Sequence, residues 1–156
     1  MSATQRVYSY RHDEVEIPKE PKKIVSFSPS ITEILFGIGL SESIAGISAF
    51  CVRPPETNAE KRIGSYVFVK REILDEIQPD LIFTISGYRY NFTAALAKNY
   101  SVVCMELSIS VAGIIDLPIR VGAITGRREQ RRNLAYSLMA YLPHKKRRLL
   151  DPVTWR

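Results

Sequence analysis

Lys23-Ile24-Val25-Ser26-Phe27-Ser28-Pro29-Ser30-Ile31-Thr32-Glu33-Ile34-Leu35-Phe36 is the stretch that decides the fold. Its first six residues form a short, β-rich, apolar run preceded by Pro21 and read as a buried strand. At Pro29 the period changes. Ser30, followed three residues later by Glu33, has the spacing of a capping box, and Ile31, Ile34, Leu35 and Ile38 recur at helical intervals. Gly37 and Gly39 are expected to end that helix near Leu40.

The same alternation continues on both sides of the polar loop 51–61, which has Pro54-Pro55 at its centre. Residues 43–48 (SIAGIS) read as a second strand and residues 62–66 as a short third one. A helix is expected over 70–77, with Ile73, Leu74 and Ile77 on one face and Gln78-Pro79-Asp80 as its stop. Residues 81–86 (LIFTIS) are apolar in the manner of a parallel strand buried on both faces. A helix over 92–98, a strand over 101–107, and helices over 111–124 and 127–142 complete the pattern. The expected fold class is α/β: a doubly wound, mostly parallel sheet (a Rossmann-like lobe) followed by the start of a long helix. Four segments follow: a polar N-terminal stretch 1–21, the lobe 22–124, the long helix 125–142, and a basic, loosely ordered tail 143–156 beginning where Pro143 breaks the helix.

The net charge of +6 is unevenly spread. Residues 1–124 hold 13 Lys/Arg and 14 Asp/Glu, whereas residues 125–156 hold 9 Lys/Arg and 2 Asp/Glu. A neutral body with a basic tail is the pattern of a solvated terminus, and nucleic acid is not expected as a partner. Apolar stretches such as 31–40 fall short of the ~20 residues that span a membrane. The polar start, residues 1–11, shows no apolar export signal, so the chain as written is expected in the cytoplasm. Cys104 lies in an apolar run and reads as a core thiol, while Cys51 falls in a loop. His12 and His144 are far apart in the chain, so no side-chain metal site is expected.

Ligands of open α/β sheets bind outside the carboxyl ends of the strands. Four such loops stand out: Ser28-Pro29-Ser30, residues 50–53, Gly64-Ser65-Tyr66, and Ser86-Gly87-Tyr88-Arg89-Tyr90. The expected ligand-binding residues are Ser28, Ser30, Phe50, Arg53, Tyr66, Ser86, Gly87 and Tyr88, with Phe50, Tyr66 and Tyr88 facing one shared hollow. Rings and arginines together suit a large ligand that is partly flat and partly polar. The alternative is ordinary surface tyrosines over helix ends, with Ser30 a simple cap rather than an anion site. No GxGxxG, GxxxxGK[ST] or GxSxG occurs, and no nucleophile–base pair is visible, so binding without catalysis is expected.

These residues resemble a family. The KIVSFSPSITEILF stretch is similar to the opening "RIVSLSPSxTEILFALG" of the substrate-binding proteins that serve cobalamin and ferric-siderophore ABC importers, the helical-backbone metal receptors. In matching order, 44–48 with Pro54-Pro55-Glu56, then Arg62-Ile63-Gly64-Ser65-Tyr66, then Glu72-Ile73-Leu74 through Pro79-Asp80-Leu81-Ile82 follow the family's pattern. Val121-Gly122-Ala123-Ile124-Thr125-Gly126-Arg127 resembles the segment that opens its inter-lobe backbone helix.

The resemblance implies the N-terminal lobe of a two-lobed binder with no built-in cofactor. Its ligand would be cobalamin, haem or a ferric chelate. Rings at Phe50 and Tyr66 would face the cleft, and Glu72 would dock on the ABC permease; the plainer reading of Glu72 is a first-turn carboxylate favoured by the helix dipole. It also implies an extracytoplasmic, periplasmic setting. Three departures accompany it: the second lobe is not in this sequence, the backbone helix is expected to be cut short by Pro143, and the loop reads Cys51-Val52-Arg53 where the family often has an acidic residue and a tyrosine. A second reading is a flavodoxin-like interaction module that self-associates through the face the missing lobe would cover.

Overall fold

The computed structural model describes residues 3–10, 13–65, 68–87 and 90–149. Strands β1 (Thr4–Tyr8) and β2 (Glu14–Pro18) precede the alternating body. That body runs β3 (Ile24–Ser26), α1 (Pro29–Gly37), β4 (Ile44–Ser48), β5 (Arg62–Gly64), α2 (Arg71–Ile77), β6 (Leu81–Ile85), α3 (Tyr90–Ala97), β7 (Val102–Met105), α4 (Val111–Ile124) and α5 (Arg128–Leu149). Five strands form one parallel sheet in the order β5-β4-β3-β6-β7. The fold class is the one the alternation implies.

Pleat period divides the core in two. Ile24, Leu81, Phe83, Val103 and Met105 pack with Ile31, Leu35, Leu117 and Val121 on the face covered by α1 and α4. Their chain neighbours Val25, Ile82 and Val102 turn to the other face and meet Leu74 of α2 and Leu96 of α3. Phe27 meets Phe92 edge to face, with centroids 5.0 Å apart. Every residue on both faces of β3 is buried, which is why the strand reads as a continuous apolar run.

Four local expectations are corrected. The helix α1 begins at Pro29 with Ser28 as its N-cap, and no side-chain cap bond forms, so Ser30 and Glu33 make no capping box. The fixed φ of proline suits the first helical position, and this moves the start ahead of Ser30. The helix closes as expected, with the Leu40 N–H on Leu35 O, the Gly39 N–H on Phe36 O, and Gly39 at φ +74°. Second, α5 passes through Pro143 and ends at Leu149, so the helix is not broken there; a proline removes one ladder bond without abolishing the turns on either side. Third, β5 and β7 stop at Gly64 and Met105, releasing residues 106 and 107 into a loop.

Fourth, the polar N-terminal stretch contains an antiparallel hairpin, β1–β2. Its Val15 and Ile17 alternate inward between Glu14 and Glu16, and Ile17 is completely buried. The hairpin lies along the open edge of β7. Tyr10 N–H donates to Cys104 O at 2.8 Å, and Cys104 N–H donates to Ser9 Oγ at 2.8 Å. It thereby covers an edge strand that would otherwise present unpaired backbone groups.

Candidate functional site

All five parallel strands end at one rim. From β3 the chain winds outward one way through β4 and β5, then restarts at β6 on the other side of β3 and continues to β7. The switch point lies between β3 and β6, where the loops leave in opposite directions and open a crevice.

The β3 exit is built from hydroxyls. Ser28 is buried and Ser30 exposed, with their Oγ atoms 3.0 Å apart. Behind them Thr32 Oγ1 lies 2.9 Å from Ser26 Oγ and 3.1 Å from Cys51 Sγ, and Ser48 Oγ lies 3.2 Å from that sulfur. The buried Cys51 thus joins the loop after β4 to the start of α1. Arg62 secures the same loop: Nη1 donates to Ser48 O at 3.0 Å and Cys51 O at 2.6 Å, and Nη2 donates to Thr57 O at 3.1 Å. Phe50 and Arg53 are exposed on this loop. Tyr66, in the next loop, lies outside the described residues. Gly64 is required there, because at φ +144° a Cβ would stand 2.2 Å from Phe68 O.

At the β6 exit, Ser86 N–H donates to Met105 O at 2.7 Å, and Ser86 Oγ accepts from Leu107 N–H at 2.8 Å. Gly87 follows at φ +137°, and Tyr88 lies outside the described residues. Three adjoining cavities meet at Leu107. One of about 380 Å³ is lined by Ser30, Glu33, Ile34, Ile85, Ile114 and Leu138 among others. One of about 310 Å³ is lined by Tyr10, Ser86, Gly87, Thr93, Cys104 and Glu106. The smallest, about 150 Å³, lies between residues 106–110 and the α4 residues Asp116 and Arg120. Burial pushes the Cys104 thiol pKa up, and the Thr84 and Thr93 hydroxyls beside it oppose that shift.

Ser30, Ser86 and Gly87 therefore line adjoining hollows, and Ser28 supports Ser30. Phe50 and Arg53 line none of these three cavities. Glu72 is exposed in the first turn of α2 and borders a separate groove with Phe68, Arg71 and Phe92. Sequence reasoning missed Glu106, Leu107 and Ser108, because the last strand was read through residue 107. The strand-end rule, applied one loop further, would have found them. Among the described residues no group of three or more His, Cys, Asp or Glu is placed to hold a metal ion. No helix among them is long and apolar enough to cross a membrane.

A doubly wound lobe with a hollow between the exits of β3 and β6 is the build of a small-molecule binding domain. The chain belongs to the periplasmic binding protein family, which matches residues 24–138. This is a family of binding proteins rather than enzymes. The chain is 37% identical over 71 residues to an uncharacterised ABC transporter substrate-binding lipoprotein of Bacillus subtilis, covering 46% of this chain and 22% of that one. It is 29% identical over 62 residues to the vitamin B12-binding protein of Pectobacterium carotovorum, covering 40% and 22%. Its fold superposes on a periplasmic solute-binding protein of Veillonella parvula with a TM-score of 0.76 at 17% identity, over 93% of this chain and 48% of that one. A Staphylococcus epidermidis protein, described as a possible iron-binding (periplasmic solute-binding) protein, matches with a TM-score of 0.68 at 26% identity, over 76% and 47%. The chain thus spans about half the length of the solved relatives, and its matched segments span about a fifth of the curated ones.

Proposed function

We propose that this chain forms the N-terminal lobe of the substrate-binding component of an ABC importer, and that it takes up cobalamin, haem or a ferric siderophore without covalent chemistry. The observation that carries the reading is the hollow lined by Ser30 after β3, Ile85 at the end of β6 and Leu107 after β7, formed in a chain that the periplasmic binding family matches over 24–138. Ser30, Ser86 and Gly87 would contact the ligand. The family relatives support an extracytoplasmic setting and a permease as partner. Exposed Glu72 would meet that permease.

One lobe covers one side of a ligand, whereas good small-molecule sites bury about 70–90% of it. Binding by this chain alone is therefore expected to be weak, with Kd between about 10 μM and 1 mM. Titration of the isotope-labelled chain with cyanocobalamin, gallium protoporphyrin and gallium trihydroxamate, followed by amide chemical shifts, tests it. Shifts at Ser86, Leu107 and Ser30 with at least one ligand are expected. No shift with any of them at millimolar concentration would overturn the proposal, and sub-micromolar affinity would overturn the half-cleft argument.

A further inference from the structure

The electrostatics of the same hollows select among chelates. Their walls are mainly apolar: Ile34, Ile85, Leu107, Ile114 and Leu117. Among the described lining residues the charged groups are Glu33, Glu106, Asp116 and Arg120. Arg120 Nε lies 4.0 Å from Asp116 Oδ2, so that pair is close to neutral. Glu33 and Glu106 remain as net negative charge, both exposed on the rim. Among the described residues, Arg53 on the loop after β4 lines none of the three hollows. Arg62 is turned onto the carbonyls of Ser48, Cys51 and Thr57, and Lys61 Nζ sits 3.0 Å from Glu76 Oε2.

We infer that this lobe takes a neutral or cationic chelate with an apolar body, such as a ferric trihydroxamate, and disfavours a polyanionic one such as a ferric tris-catecholate. The inference rests on the proposed function and narrows its ligand class. A polyanion would bring its charge beside two carboxylates over a low-dielectric wall, where repulsion is felt more strongly than in water. A cation is attracted by the same groups, and the attraction weakens with salt.

Three gallium(III) chelates of similar size test it by amide shift titration of the full chain: a neutral trihydroxamate, its cationic amine-bearing analogue, and a trianionic tris-catecholate. The cationic chelate is expected to bind at least as tightly as the neutral one, and the tris-catecholate about tenfold more weakly or worse. Glu33→Gln and Glu106→Gln should each weaken the cationic chelate about threefold and leave the neutral one unchanged, as suits a rim charge. Glu42→Gln, in the short turn after α1 and away from the hollows, should change neither. Tighter binding of the tris-catecholate than of the trihydroxamate, or no response of the cationic chelate to the two glutamine variants, would overturn the inference and leave the transport reading standing. No binding of any of the three would overturn the inference, and the transport reading would then stand or fall on the cyanocobalamin and gallium protoporphyrin titrations.

Discussion

The backbone N–H of Leu107 donates to the hydroxyl of Ser86 at 2.8 Å, joining the loop after β6 to the loop after β7. This bond places Leu107 at the meeting point of three cavities. Ser86→Ala should leave the fold intact and cost about 1 kcal/mol or less, since the bond is solvent-accessible. Hydrogen exchange at the Leu107 amide should accelerate, and chelate affinity should fall. An unchanged exchange rate would show that the loop is held by other contacts.

Arg62 is held by carbonyls alone in the three bonds described, two from its Nη1 and one from its Nη2. Arg62→Met keeps the stem and strands those carbonyls, at a cost of about 1–3 kcal/mol in urea unfolding. Arg62→Lys should recover less than half of the loss, because one ammonium cannot span the fork. Full recovery with lysine would mean that charge, not geometry, organises the loop.

The raised pKa of the Cys104 thiol predicts a pH dependence. Folding favours the neutral thiol, so its contribution is complete below the ordinary thiol pKa, 9.0, and is lost as pH climbs toward the higher folded value. The stability difference between the parent chain and Cys104→Ala should therefore shrink between about pH 8 and 10. Tyr100, whose pKa is also raised by burial and by Asp75, titrates in both proteins and cancels in the difference. A difference independent of pH would place the thiol in contact with water.

Removal of residues 1–20 should expose the β7 edge that Ser9 and Tyr10 now cover. The truncated chain is expected to oligomerise with concentration, read by light scattering, because an unpaired strand edge is a template for pairing. A truncated chain that stays monomeric and equally stable would show that the hairpin adds packing only.

The alternation of strands and helices was readable because it is local. Buried parallel strands such as residues 81–85 must be apolar on both faces, and α1 must present Ile31, Ile34 and Leu35 to the sheet. The rule that ligands bind at strand ends then pointed to Ser28, Ser30, Ser86 and Gly87. Phe50 and Arg53, on the loop whose carbonyls Arg62 holds, line none of the three hollows, and Tyr66 and Tyr88 fall outside the described residues. The hairpin left a readable trace in the Glu14–Pro18 alternation, but a five-residue pattern is weak without its partner.

By itself the sequence determined the layer structure, the winding of the parallel sheet and the family to which the chain belongs, since each depends on periodicity or on short ordered motifs. Tertiary structure alone decided that Ser9 meets Cys104 across 95 positions and Ser86 meets Leu107 across 21. It also decided that Cys51 is buried rather than free in its loop, and that the hollow carries carboxylates. Hydrogen bonds between separate loops depend on how strands stack side by side, and no local period encodes that.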